Sequence, residues 1–210
     1  MNIQEQIAAN RDFCKSPFAK ERELSDQQKR LPQPPLCKPA QSERRILLGR
    51  DFRSVMTQTD FFTILQKRTS QRFYRDEEMS LEQLSFLLWA TQGVKSIRGD
   101  HYATLRTVPS GGARHAFETY LAVRKVAGLS AGVYHYLPLE HALEPVGPLE
   151  NPREQITAAM HGQKWAGGCA VAFLYSFVPY RAEWRYSTSA HRVALIDAGH
   201  VVQNLSLIHI

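Results

Sequence analysis

The sequence predicts an α+β domain in which helices flank a central, mainly antiparallel sheet, preceded by an extended N-terminal arm. Three features indicate this architecture: a proline-rich stretch at 31–39, a capped helix at 80–93, and two strand-like segments joined by a glycine-containing turn at 119–137. Helices and antiparallel strands in mixed order are typical of the α+β class. We therefore predict an arm at residues 1–55 and a globular domain at residues 56–210.

Composition supports one well-buried domain and excludes several classes. Of 210 residues, 43% are apolar and 10% aromatic, and the formal net charge is +6. Because the basic residues are scattered among acids, we expect a phosphate-bearing small molecule as partner rather than nucleic acid; nucleic-acid binding has only the net charge in its favour. No apolar run reaches bilayer length and no signal peptide is evident. The unpaired Cys14, Cys37 and Cys169 fit a reducing cytoplasm.

The arm begins with a predicted helix at Ile3–Phe13 and then becomes proline-rich. Pro32, Pro34, Pro35 and Pro39 exclude a helix interior and favour an extended path. Two interpretations remain open, an arm that packs over the domain or a partner subunit, and a flexible linker.

The domain is expected to begin with a short helix capped by Asp60 and followed by a basic segment. If Lys67–Phe73 is extended, Arg68, Ser70 and Arg72 point to the same side, because strand side chains alternate. Two guanidinium groups flanking a hydroxyl would form a phosphate clamp. A solvated basic face is the alternative.

A second helix has the clearest start signal in the chain. Ser80 and Gln83 form a capping-box pattern, and the apolar segment that follows ends at Gly93. We predict a buried helix with Trp89 in the core.

The turn at Pro109–Arg114 follows a predicted strand at 102–108. Pro109 lacks a backbone donor, and Gly111 and Gly112 let the backbone turn sharply with its N–H groups uncovered. Such a turn has room for a flat or anionic ligand, whereas an ordinary strand-to-helix turn is the alternative. We expect a helix start after it, in an amphipathic segment running through Glu118.

The remaining elements are assigned from periodicity and end signals. We predict antiparallel strands at 119–126 and 133–137, a helix from Asn151 to about His161, a central strand at 168–177, and a helix at 189–205.

Four of these motifs, in this order, resemble the flavin-dependent nitroreductase superfamily and, within it, the SagB-type dehydrogenases. They are the segment 68–72, the helix 84–93, the turn 109–114 with Glu118, and the segment 198–205. The resemblance covers about residues 60–205 and implies a nitroreductase-like, FMN-binding domain. It also implies a homodimer with the flavin at the subunit interface.

The resemblance assigns roles to ten candidate cofactor-binding residues. By resemblance, Arg68, Ser70 and Arg72, with Thr69 adjacent, hold the FMN phosphate, and Pro109, Ser110, Gly111 and Gly112 lie against the flavin ring. Where many nitroreductases have Asn, this chain has Ala113 and Arg114. Arg114 is thus a candidate for the polar edge of the flavin, where its charge would stabilise the reduced anion.

Two further departures concern substrate chemistry and the C-terminus. SagB-type azoline dehydrogenases use a Lys-Tyr pair, and the comparable position here reads Arg185-Tyr186. Because Arg hardly ever loses its proton, Tyr186 is the only acid–base candidate of this pair. The family continues beyond the segment matching 198–205, so we expect a C-terminally truncated chain.

The predicted function is an FMN-dependent oxidoreductase that moves a hydride or electrons between NAD(P)H or an organic substrate and an acceptor. The alternative is a degenerate, flavin-free family member acting as a binding or scaffold protein. Asp197 and His200 lie one helical turn apart but lack a third ligand, so no metal site is predicted. No Gly-x-Ser-x-Gly elbow surrounds Ser110, which argues against a hydrolase.

Overall fold

The computed structural model describes residues 2–15 and 23–208. Its helices are α1 (Ile3–Cys14), α2 (Phe61–Lys67), α3 (Leu81–Gln92), α4 (Pro152–Ala159), α5 (Pro179–Tyr186) and α6 (Ala190–Ile208). Its strands are β1 (Ile46–Leu47), β2 (Val94–Arg98), β3 (Ala103–Arg106), β4 (Phe117–Val123), β5 (Gly132–Leu137), β6 (Ala142–Pro148) and β7 (Val171–Phe177). His209 and Ile210 of the predicted domain lie outside the described residues.

The strands form a five-stranded antiparallel sheet and a separate hairpin. The sheet has the order β1-β6-β5-β4-β7, and β2 pairs with β3. Successive side chains of β4 point to opposite faces of the large sheet, and a helix covers each face. Leu121 packs with Leu84 and Leu88 of α3 on one face, and Ala122 packs with Ile156 of α4 on the other. The predicted α+β class is confirmed.

Local signals explain where two helices start. Asp60 caps α2 by accepting a hydrogen bond from the Thr63 N–H, and Ser80 and Gln83 form the complete capping box of α3. The apolar side chains of α3 then fill the core, where complete burial of Leu84 and Leu88 contributes about 2 kcal/mol each.

Two predicted elements differ in the structure. The expected helix after the turn does not form: Ala113 and His115 have φ of 54° and 45°, which interrupts a helix, and β4 begins at Phe117. The predicted central strand, β7, lies at a sheet edge, paired with β4 alone among the described residues. Val171 and Ala172 are buried in the clusters on opposite faces of the sheet, and this explains the apolar run. An apolar run shows that both faces of a strand are covered, but it does not show whether the strand has one neighbour or two.

The described part of the arm between residues 23 and 45 makes a hydrogen-bonded turn at 26–30, has no helix or strand, and lies against the domain. Its carbonyl groups at Leu31 and Pro35 accept hydrogen bonds from the side chains of Trp184 and Arg181, at 3.0 and 2.8 Å. These contacts favour the packed arm over a flexible linker. The boundary at residue 55 stays a prediction.

Candidate functional site

The turn at Pro109–Arg114 is held on helix α6 by one carboxylate. Ser110 Oγ donates a hydrogen bond to Asp197 Oδ2 at 2.6 Å, and the Gly111 N–H donates to Asp197 Oδ1 at 3.0 Å. The same Ser110 Oγ accepts a hydrogen bond from the His115 N–H at 2.9 Å. Asp197 therefore fixes the start of the turn, and the single hydroxyl proton of Ser110 is used in doing so.

The two glycines allow this turn to lie close to α5 and α6. A Cβ on Gly112 would overlap with the Arg185 side chain, and one on Gly111 would overlap with Val193. Gly112 also has φ of 55°, a left-handed conformation that strains other residues. The glycines are thus required by packing on the helix side of the turn, which the sequence interpretation did not foresee.

Tyr186, the predicted catalytic residue, lies beside the same turn. An ideal Cβ on Gly111 would be 3.4 Å from the Tyr186 hydroxyl. The structure therefore places Tyr186 next to the turn that was predicted to contact the flavin ring.

Arg114 lies buried beneath the turn, only 4% exposed. Its Nε donates to the carbonyl of Gly112 at 3.0 Å, and its Nη2 donates to that of Tyr102 at 2.8 Å. The guanidinium carbon lies 4.9 Å from the centre of the Tyr102 ring and 5.3 Å from that of Trp184. These contacts make Arg114 a support of the turn; its predicted place at a flavin edge stays a prediction.

A polar cluster next to the turn includes a residue of the arm. Arg185 Nη1 donates to the Tyr102 hydroxyl at 2.8 Å and to Gln27 Oε1 at 3.0 Å, and Gln27 Nε2 donates to the same hydroxyl at 2.9 Å. Burial raises the pKa of Tyr102, but the Gln27 hydrogen bond and the charges of Arg185 and Arg114 outweigh it, so this pKa is lowered. No local pattern marks Gln27, because its contacts join residues 75 and 158 positions apart.

The predicted phosphate clamp lies in an irregular segment after α2. Arg68 is half-buried, and Thr69, Ser70 and Arg72 are exposed. The Arg72 guanidinium carbon lies 6.0 Å from the centre of the Trp165 ring. Within residues 2–15 and 23–208, neither arginine forms an ion pair, and no hydrogen bond joins this segment to the turn. Both cations are therefore available to an anion such as a phosphate.

A buried charged network crosses the sheet below the arm. His135 Nδ1 lies 2.8 Å from Glu144 Oε1 and its Nε2 lies 3.0 Å from Glu118 Oε2, while Arg181 Nη2 lies 2.5 Å from Glu118 Oε1. The arm adds backbone donors, with the Lys38 N–H on Glu118 and the Gln41 N–H on Glu144, at 2.7 and 2.8 Å. These carboxylates therefore attach the arm to the sheet.

The network shifts the pKa values of its members in opposite directions. Burial raises the pKa of Glu118, but the hydrogen bond from His135 and the charge of Arg181 outweigh this and lower it to about 2. Burial lowers the pKa of His135, but both carboxylates outweigh that effect and raise it. Three consecutive strands, β4, β5 and β6, each carry one of these charged residues among apolar ones. This sequence pattern could have predicted the network.

Neither a metal site nor a membrane span is found among the described residues. Within residues 2–15 and 23–208, no three or more His, Cys, Asp and Glu side chains are grouped as a metal site. None of the helices in those ranges has the length and apolar character that a membrane span needs.

This geometry defines a class of α+β protein. In it, a Gly-rich turn is fixed to the last described helix, α6. The sequence model of the Nitroreductase family matches residues 65–208, and the chain belongs to that family.

Relatives and a solved structure agree with this assignment. The chain is 33% identical over 144 residues to “Putative nitroreductase MJ1384” of Methanocaldococcus jannaschii, covering 69% of this chain and 70% of that protein. It is 32% identical over 107 residues to the microcin B17-processing protein McbC of Escherichia coli, covering 49% of this chain but only 39% of McbC. A crystal structure from Ralstonia eutropha JMP134 with the same nitroreductase designation has a TM-score of 0.62 at 26% identity, covering 85% of this chain and 75% of that one.

Proposed function

We propose that the protein is an FMN-dependent oxidoreductase that transfers a hydride or electrons between NAD(P)H or an organic substrate and an acceptor. The observation that carries this proposal is the turn Pro109–Ala113, held on α6 by Asp197 in a chain of the nitroreductase family. When bound, FMN supplies a redox centre that takes up and releases a hydride equivalent.

The residues present fit such a group. Arg68 and Arg72 carry charges that no described acid neutralises, and Ser70 adds an exposed hydroxyl. We assign the flavin phosphate to these three residues and to the adjacent Thr69. We assign the ring to the turn, because Pro109 is exposed and Ser110–Ala113 are only half-buried, so the turn retains an accessible face.

Tyr186 is proposed to exchange a proton with the substrate. Its hydroxyl lies by the turn, and the guanidinium carbon of Arg185 lies 5.8 Å from the centre of its ring. The same guanidinium donates hydrogen bonds to Tyr102 and Gln27. Since a guanidinium is a poor base, proton transfer falls to the phenol. Tyr186→Phe should lower turnover by about a hundredfold with unchanged FMN binding; unchanged turnover would remove Tyr186 from the chemistry.

The proposal includes a homodimer in a reducing cytoplasm. Helix α6 exposes Leu195, Ile196 and Val202, at 66%, 61% and 51%, which is an apolar surface suited to a second copy. The free cysteines Cys14, Cys37 and Cys169 fit the compartment. Leu195→Glu should shift sedimentation toward the monomer, whereas Thr188→Glu, at an exposed position before α6, should not.

Anaerobic reduction tests the proposed activity. Protein loaded with FMN is mixed with NADH or NADPH without oxygen, and the flavin absorbance is followed. We expect bleaching, and recovery of the colour when a quinone or nitroaromatic acceptor is added. A flavin that neither nucleotide reduces, although dithionite does, would contradict the nicotinamide donor; failure of every acceptor would contradict the oxidoreductase assignment.

A further inference from the structure

A cleft separate from the turn lies between the 3₁₀ turn at Phe52–Val55 and helix α3. Its volume is about 770 Å³, within the range of small-molecule sites. Its wall is aromatic: the Phe52 ring centre lies 4.9 Å from that of Trp89 and 5.6 Å from that of Phe86. The rings are tilted by 31° and 36° to one another, so the wall offers aromatic faces and edges against which a planar ring can pack.

The polar groups around this cleft are mainly donors. Arg50, Arg53 and Lys95 line it with a single acid, Asp51, and none of these three cations forms an ion pair within residues 2–15 and 23–208. The indole N–H of Trp89 has no hydrogen-bond partner in those ranges either. This N–H is not fully buried, so a ligand can reach it. A ligand that complements this set carries negative charge.

The segment forming the outer wall is attached firmly to the domain. Ser85 Oγ donates to the Gly49 carbonyl at 2.6 Å and therefore accepts from His141 Nε2 at 2.9 Å. His141 Nδ1 in turn accepts from the Tyr136 hydroxyl at 2.7 Å. This assigns the neutral Nε2–H tautomer, in agreement with a pKa that burial and the charge of Arg50 lower to about 4. Anchoring at Gly49 and the packing of Phe52 on α3 hold the outer wall in place, which lowers the entropic cost of binding.

From the aromatic wall, the unpaired cations and this anchoring, we propose that the cleft binds a planar aromatic anion, a ring that carries a carboxylate. The ring lies on Phe52 and Trp89, and the carboxylate faces Arg50 and Arg53. The site shares no residue with the turn or with the 68–72 segment, so it goes beyond the proposed flavin chemistry.

Calorimetric titration with 2-naphthoate and its neutral counterpart 2-naphthamide tests the site on the full chain, with and without saturating FMN. We expect naphthoate to bind about tenfold more tightly than the amide. The exposed double variant Arg50→Gln/Arg53→Gln should remove this preference, and Arg75→Gln/Arg98→Gln, which leaves the cleft intact, should keep it. Phe52→Ala should weaken both ligands equally.

Four results would overturn the proposal. Equal binding of the two ligands, or a preference that survives in Arg50→Gln/Arg53→Gln, would show that the cations do not recognise the anion. Displacement of naphthoate by FMN would place the cleft within a flavin site. A dimer that Arg50→Gln/Arg53→Gln dissociates in sedimentation would identify the cleft as a subunit contact.

Discussion

Asp197 and Ser110 are joined by a 2.6 Å hydrogen bond that connects helix α6 to the turn across 87 positions of sequence. The other oxygen of Asp197 accepts the Gly111 N–H. This carboxylate, considered from the sequence only as a metal ligand, thus orients the backbone proposed to face the flavin ring.

Replacing Asp197 by Asn tests this connection. An amide has only one acceptor oxygen, so one of the two donors on the turn loses its partner. We expect FMN affinity to fall about tenfold, since hydrogen bonds to charged groups contribute about 1.5–3 kcal/mol. Fluorescence titration of FMN measures this, with Asp100→Asn as an exposed control. Wild-type affinity in a folded Asp197→Asn protein would contradict the positioning role.

The phosphate clamp makes a prediction that separates two flavins. Arg68→Ala and Arg72→Ala should each weaken FMN binding about tenfold or more and leave riboflavin binding unchanged, because riboflavin lacks the phosphate. Arg75→Ala, an exposed neighbour, should affect neither. The assignment fails if both flavins weaken together or if FMN is unaffected.

Close packing at Gly112 predicts a stability difference between two Gly→Ala substitutions. Gly112→Ala would overlap with Arg185 at a positive φ, whereas a Cβ on Gly147 meets nothing within 4 Å. Overpacking typically costs about 1–3 kcal/mol, so the Tm of Gly112→Ala should fall by about 5 °C and that of Gly147→Ala should not. Equal Tm values in calorimetry would show that the turn adjusts without cost.

The attachment of the arm should depend on pH through His135. A pKa raised in the folded state means that the stabilisation is complete below the unfolded value near 6.5 and is lost as pH rises through the folded value. The folded pKa values of His115 and His141 lie at about 3 and 4. These two residues therefore change the free energy of unfolding at pH values below about 6.5, and they do not contribute to a change above it.

Urea unfolding between pH 6.5 and 9 measures this effect. The free energy of unfolding of the wild-type protein should decrease relative to that of His135→Gln, which cannot titrate, and exposed His161→Gln should follow the wild type. Parallel curves for the wild type and His135→Gln would remove His135 from the attachment of the arm.

Local signals explain why part of the fold was predictable. Asp60 and the Ser80–Gln83 pair act within one helical turn, so the starts of α2 and α3 follow from the sequence. The hairpin of β4 and β5 follows from alternation and a glycine-containing turn. By contrast, β6 and the two-residue β1 pair across nearly a hundred positions, and no local pattern encodes that pairing.

The candidate site divides in the same way. The turn and its glycines were found because Pro and Gly mark backbone geometry directly. Asp197, Gln27 and the pairing of Glu118 with His135 were missed, because each role depends on a partner that only the folded chain brings near. The sequence predicted that the turn needs glycines. It did not predict the physical reason, which is the close contact of the turn with Arg185 and Val193.

FMN binding by the full chain is the most direct test of the central claim. Purified protein is given excess FMN, freed of unbound flavin by gel filtration, and its visible spectrum is recorded. The account predicts a yellow protein with about one FMN per chain, and a reduced yield of flavin in Arg68→Ala and Asp197→Asn. Folded, colourless protein that retains no FMN would contradict it and favour a flavin-free scaffold.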